Sequence, residues 1–246
     1  MKNITVWLII ARSNLHVGNE NVTNYGLIDK AIQRDSLTDL PCINSSSLKG
    51  AINEYVAQEN KLDGAVRKGI FGSDKLDKKS LKQKGGCIFF DANILFLPVQ
   101  DDKELYKLAT CETVLDDFIN KLSLFSESKE QNSWDKNSLI EKVRSKLTIC
   151  LPLGKAPQSV SIKKDFSIGE FKELCNDEGL PIIARNCLEN GESTNLWYEQ
   201  VLPQGTVLGT FILSADNKLE EAIQNQMIQI GANATIGYGY CEFVKL

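Results

Sequence analysis

Apolar residues fall in short runs along this chain, and the spacing inside each run predicts an element. Residues 3–11, NITVWLIIA, are mostly apolar and rich in β-branched types, which predicts a buried first strand. NSSSLKGAINEYVAQEN predicts a helix capped by the serines at 45–47, with Leu48, Ile52, Tyr55 and Val56 on one face. GGCIFFDANILFLPV, 85–99, is the strongest strand signal, bracketed by its double glycine and Pro98, with Asp91 and Ala92 marking a turn or bulge inside it. CETVLDDFINKL places Cys111, Val114, Leu115, Phe118, Ile119 and Leu122 at helical spacing. GTVLGTFILSA, 205–215, predicts a strand. DNKLEEAIQNQMIQIG predicts a helix capped by Asp216, with Leu219, Ile223, Met227 and Ile230 inward, and YGYCEFVKL predicts a closing strand. Strands and helices alternate irregularly, so the fold class is α+β.

The segments without a period matter as much. Ser13 to Asn44 is long, irregular and punctuated by glycine, asparagine and Pro41, and structureless stretches of that length inside a domain are usually functional. Residues 125–138 read as a polar loop. From 147 to 200 short apolar runs alternate with polar breaks in no evident order.

The totals narrow the function classes. With 246 residues the chain suits one large domain or two small ones. No apolar run approaches the length that spans a bilayer. The apolar N-terminal run is short and lacks a small-residue cleavage site, so it reads as a strand rather than a signal peptide. Seven scattered cysteines with no CxxC pair argue against a zinc site or a disulfide framework and fit a reducing cytoplasm. A single histidine, His16, leaves most hydrolase templates without material. Net charge is −4, against non-specific nucleic-acid binding, but it is unevenly spread. Arg67–Lys84 holds seven basic and two acidic residues, and Asp101–Glu130 holds eight acidic and four basic ones. An acidic protein can still present one basic groove.

Three segments carry candidate chemistry. SSSLKG, Ser45–Gly50, sits at a helix start, where free N–H groups, serine hydroxyls and Lys49 make a phosphate site; the plain alternative is a serine cap with a solvent-facing lysine. It is not a Walker A loop, because the spaced glycine before the lysine is missing. GYGYCEF, 237–243, fits most of the RNP1 pattern of RNA-recognition motifs, although Ile236 replaces the basic lead residue, and Tyr238 and Tyr240 could stack on bases. Asp29, in the opening loop, could act as a metal ligand, a general base or a turn cap.

The order of the segments adds to this. An early strand leads to HVG, then GLIDKAIQRD, then LPCINSSSLKGAI, and much later LWYEQVLPQGTVL and IQIGANATIGYGY. This ordered set resembles the RAMP superfamily of CRISPR-associated proteins, and within it the subunit repeated along the backbone of type III-B (Cmr) effector complexes. The resemblance runs from His16 to Tyr240 and is weak near 60–84 and 125–195, where such proteins vary. It implies one domain over 1–246: a modified ferredoxin-like or RRM-like core with long insertions forming palm, fingers and thumb. Implied partners are a CRISPR RNA, a complementary target RNA, other copies of the chain and sibling Cmr subunits. Implied chemistry is target cleavage at regular intervals by attack of the target's own 2′-hydroxyl, assisted by magnesium or manganese.

By the same resemblance Asp29 is the cleaving carboxylate, whereas Asp35 is not tied to cleavage. Ser46, Ser47, Lys49 and Gly50 contact guide phosphates, Gly237 and Gly239 pass close to RNA, and His16 lies in the RNA groove. The thumb falls within 180–197, with Arg185 near its contact surface. Three rivals stay open: a RAMP scaffold that does not cut, a guide-processing endonuclease, and a single-stranded RNA-binding module of RRM type.

Overall fold

The computed structural model describes residues 3–18, 28–73, 83–125, 135–149 and 158–246. Parts of the opening loop (19–27), of the basic stretch (74–82) and of the expected polar loop (126–134) lie outside the described residues. Strand β1 (Asn3–Ala11) is followed by the two-residue β2 (Cys42–Ile43), then helices α1 (Ser45–Gln58) and α2 (Gly64–Phe71). Next come β3 (Ile88–Phe89), β4 (Ala92–Val99), β5 (Lys107–Ala109), α3 (Glu112–Phe125) and α4 (Lys136–Lys146). A pair of two-residue strands, β6 (Thr148–Ile149) and β7 (Gln158–Ser159), precedes β8 (Ile162–Lys163) and α5 (Ile168–Cys175). The hairpin β9 (Ile182–Glu189) and β10 (Glu192–Gln200) leads to β11 (Val207–Ser214), α6 (Lys218–Ile223), β12 (Met227–Gln229) and β13 (Tyr240–Lys245).

The main sheet runs β12-β13-β1-β11-β4-β5-β8. Its centre, β13-β1-β11-β4, is antiparallel throughout, with Ile9 opposite both Leu208 and Phe243. Taken with α1 between β1 and β4, and α6 between β11 and β13, this is a βαββαβ unit with strand order 4-1-3-2: the ferredoxin-like core expected from the sequence. β1 is buried along almost its whole length because both sheet faces are covered. Helix α1 buries Leu48, Ile52 and Val56. Helix α3 buries Val114, Leu115, Phe118 and Leu122, and its Phe118 ring stacks on Phe211 of β11 at 4.7 Å. No helix among the described residues is long and apolar enough to cross a membrane.

Several elements match expectation, and three differ. The 85–99 run breaks as expected, at Phe90–Asp91, into β3 and β4. The serines, however, do not cap α1. Asn44 is the cap residue, without a side-chain cap bond, and the Ser45 amide donates to Asp91 Oδ1 at 2.6 Å. A carboxylate from the β3–β4 kink thus meets the positive end of the helix. Second, the expected helix over 216–231 ends at Ile223, with Asn217 rather than Asp216 as its cap residue. Asn225 turns the chain with φ 56°, and the next residues alternate, Met227 outward and Ile228 and Ile230 inward, so they pair with β13. A strand period inside a helix-like run was the misleading signal. Third, the RNP1-like segment is open only in part: Tyr240 is exposed and Tyr238 half-buried, while the alternate positions face inward. Cys241 and Phe243 are fully buried, and the Phe243 ring lies 6.5 Å from that of Trp7.

The disorderly 147–200 stretch resolves into short pieces and one long hairpin. Asn190 and Gly191 both take positive φ, 52° and 87°, as a two-residue type I′ turn needs. The strands stay exposed until their base at Glu199 and Gln200.

Candidate nucleic-acid interface and catalytic site

β1 ends where β11 and β13 begin, and at that end of the sheet five distant segments meet. Residues 14–18 leave β1 and run beside 28–34: Gln33 N donates to Val17 O at 2.9 Å, and Leu15 bridges Leu202. The 28–34 segment then lies along the base of the hairpin, where Lys30 pairs in parallel with Glu199. Its other end reaches α1 through one side chain. Gln33, buried, donates from Nε2 to Gly18 O (3.2 Å) and Ser47 Oγ (3.0 Å), and its Oε1 accepts from Asn44 N (2.8 Å). The glycine-rich loop closes the ring: Ala232 N donates to His16 O and Gly239 N to Asn14 O.

Asp29 is exposed at the hairpin base. Its Oδ2 accepts from Tyr198 N at 2.7 Å, and the amides of Asp29 and Lys30 both donate to Tyr198 O at 3.1 Å. Oδ1 has no partner among the described residues. Asp35 behaves differently. It closes a turn, accepting from Leu37 N, Thr38 N and Thr38 Oγ1, and lines a cavity of about 230 Å³ with Leu37, Asn93 and Phe118. Partial burial pushes the Asp35 carboxyl up, but the Thr38 and Leu37 hydrogen bonds and the Lys121 charge outweigh it and hold it below its ordinary value.

The carboxylate that organises the site is Glu199, which sequence reasoning did not single out although LWYE contains it. Its side chain is 1% exposed. It accepts from Trp197 Nε1 (2.8 Å), Asn233 Nδ2 (2.8 Å), Lys30 Nζ (3.1 Å) and Arg185 Nη1 (3.4 Å). Burial opposes its charge, but the bonds from Trp197, Lys30 and Asn233 and the Lys30 charge prevail, so its carboxyl is held below the usual range. The Trp197 ring lies within 4.9 Å of Lys30 Nζ and 5.8 Å of Arg185 Cζ, and Arg185 also sits 6.0 Å from the Tyr238 ring. Loop, hairpin and glycine-rich segment are tied to one buried charge.

The other expected residues divide. Ser46 and Gly50 are exposed on the first turns of α1, Lys49 is half-buried, and Lys49 has no ion pair among the described residues. The Ser46 and Ser47 amides have no acceptor among the described residues, while the Ser47 hydroxyl is engaged by Gln33. Gly237 is exposed, with open space where a Cβ would stand, whereas a Cβ on Gly239 would meet Ile230 O at 2.0 Å. Gly239 is therefore a packing glycine. His16 is the clear correction. It is 3% exposed and donates from Nδ1 to Gln200 O at 2.7 Å, so it braces the hairpin base from inside rather than lining a groove. Burial pushes the thiols of Cys42, Cys175 and Cys241 up to about 12, so these cysteines pack as small apolar groups.

For a divalent cation the donor set is sparse. The described residues form no group of three or more His, Cys, Asp or Glu side chains able to hold a metal. Glu199 is saturated by nitrogen donors, and Asp29, with Oδ1 free of a described partner, is the candidate carboxylate for such an ion. That fits an ion of the magnesium type, held mostly by RNA phosphates and water with one protein carboxylate.

The RAMP superfamily model matches residues 9–242. The CRISPR system Cmr endoribonuclease Cmr4 of Pyrococcus furiosus is 27% identical over 267 residues, covering 89% of this chain and 88% of that protein. In fold, the chain is similar to a subunit of the apo type III-B Cmr-beta complex (TM-score 0.72, 19% identity, 99% and 97% of the two chains). It is also similar to oligomeric Cmr4 from Pyrococcus furiosus (TM-score 0.67, 21% identity, 100% and 98%). The ordered motifs meet at one end of a ferredoxin-like sheet, and the family model spans nearly all of them: this chain belongs to the RAMP superfamily.

Proposed function

We propose that this chain is a backbone subunit of a type III-B CRISPR effector, stacking with copies of itself and sibling subunits along a CRISPR RNA and cutting a complementary target RNA. The observation that carries this is the convergence of five segments at one end of the sheet, which brings an exposed carboxylate, two cations and a helix N-terminus to that end. The named activity of the sequence relative supports the same reading.

The target supplies the nucleophile. Its 2′-oxygen attacks the adjacent phosphorus and the P–O5′ bond breaks. The 2′-hydroxyl proton leaves, the 5′-oxygen gains a proton, and the products carry a 2′,3′-cyclic phosphate and a 5′-hydroxyl. In-line attack requires a distorted backbone, and on this reading the hairpin beside Asp29 imposes that distortion. With Oδ2 oriented by the Tyr198 amide, Oδ1 of Asp29 is presented to take the 2′ proton. A bound magnesium or manganese would stabilise charge on the phosphate, with Asp29 its protein ligand. Ser46, Ser47, Lys49 and Gly50 face the guide backbone as a phosphate cradle, and Arg185 and Gly237 border the groove.

A second reading, a RAMP scaffold that does not cut, is favoured by one observation: the Asp29–Tyr198 bond is what a purely structural turn carboxylate would make. Reconstitution with sibling subunits, guide and end-labelled complementary RNA separates the two. Evenly spaced cuts that vanish in Asp29→Ala support the nuclease, and tight binding without cuts in either protein leaves the scaffold.

A further inference from the structure

Resting on the reading of Asp29 as the cleaving carboxylate, we infer that Glu199 is a positioning residue for cleavage, holding the Lys30 ammonium and the Arg185 guanidinium as a cationic pair at the hairpin base to which Asp29 is bonded. Three features carry this. First, Glu199 is fully buried and meets both cations, at 3.1 and 3.4 Å, while Trp197 Nε1 and Asn233 Nδ2 take up the rest of its accepting capacity. Second, neither cation is consumed by the contact. The Lys30 side chain is 51% exposed and that of Arg185 22%, and each donates one hydrogen bond to Glu199 out of three and five donors. The remaining donors are available to the phosphate oxygens of a bound strand. Third, the geometry ties the pair to Asp29 through the backbone. Lys30 is paired with Glu199, and the preceding Asp29 is bonded through both backbone and side chain to Tyr198.

Attack by the 2′-oxygen concentrates negative charge on the phosphate. Donors already fixed near that charge need no reorganisation at the moment of reaction. Glu199 therefore acts through Lys30 and Arg185, not on the substrate, and its removal should slow the chemical step more than it weakens target binding.

The test uses the complex reconstituted with sibling subunits and guide RNA, and single-turnover cleavage of an end-labelled complementary RNA at saturating complex. Glu199→Gln keeps the shape and removes the charge; Lys30→Met removes the cation from a half-exposed site. Each is expected to slow cleavage by about tenfold or more with target affinity within about threefold of wild type. The double variant is expected to be slowed by clearly less than the product of the two single losses, because Glu199 acts in part through Lys30. A Glu199→Gln rate within about twofold of wild type overturns the inference, and so does a double variant whose losses multiply. If Glu199→Gln fails to assemble, Lys30→Met decides alone, and a rate within about twofold of wild type overturns it. Asp29→Ala is run alongside. Cleavage that survives it removes the site reading itself, whereas loss in Asp29→Ala with an unaffected Glu199→Gln removes only the role given to Glu199.

Discussion

Asp29 bonds one oxygen to the Tyr198 amide and leaves the other without a described partner, so its two roles can be tested apart. Asp29→Asn keeps an acceptor for the amide and removes the charge. Asp29→Ala removes both. Both variants are expected to lower the cleavage rate at least about a hundredfold, the scale of a lost proton acceptor. Only the alanine variant is expected to lose about 1 kcal/mol of stability as well, read from denaturant midpoints. The glycines offer a second contrast. Gly237 and Gly239 have φ of 84° and 79°, but only Gly239 faces a carbonyl at a distance no Cβ tolerates. Gly239→Ala should cost at least about 2 kcal/mol, and Gly237→Ala about 1, by the same denaturation measurement.

On the proposed function, two elements would set how this chain meets RNA. The first turn of α1 offers the Ser46 and Ser47 amides and Lys49, while Asp91 already occupies the Ser45 amide. On the proposed function, a guide phosphate would meet the second and third amides of the helix, not the first. Lys49→Ala is expected to weaken guide binding modestly and to make the slope of log affinity against log salt shallower by about 0.7, one contact's worth on a single strand. Filter binding across a salt series reads this directly. The hairpin is the other determining element. Its Asn190–Gly191 turn is a strong hairpin signal that was visible in the chain, yet the outer parts of the flanking strands are exposed and lack the alternation that marks a half-buried sheet. That absence of a buried face is why 147–200 resisted ordering.

Across the molecule, buried or hydrogen-bonded carboxylates link stability to pH. Glu199 and Asp35 are both held below their ordinary values, Glu199 against its burial by its nitrogen donors, and Asp35 likewise by Thr38 and Leu37. A lowered carboxyl contributes stability above its unfolded value, near about 4, and that stability is lost as pH falls toward the folded value. Denaturant midpoints should hold steady from pH 7 to about 5 and fall below about 4. Glu199→Gln should show a lower midpoint at neutral pH and a shallower acid decline.

What the chain's pattern determined by itself is the set of pieces that form local or strongly periodic elements. The first strand, α1, the kinked 85–99 strand pair, α3 and the 205–215 strand all follow from apolar spacing, because those residues face one continuous core. Ordered motifs also sufficed for the family. Only tertiary structure decided which motif residues share a site. It put His16 in the interior, placed Gln33 as the clasp between Asp29's segment and α1, and made Glu199 the buried hub for Lys30, Arg185, Trp197 and Asn233. It also turned the end of an expected helix into β12. In each case the deciding interaction joins residues far apart in the chain, and a partner that distant leaves no period or spacing in the sequence to read.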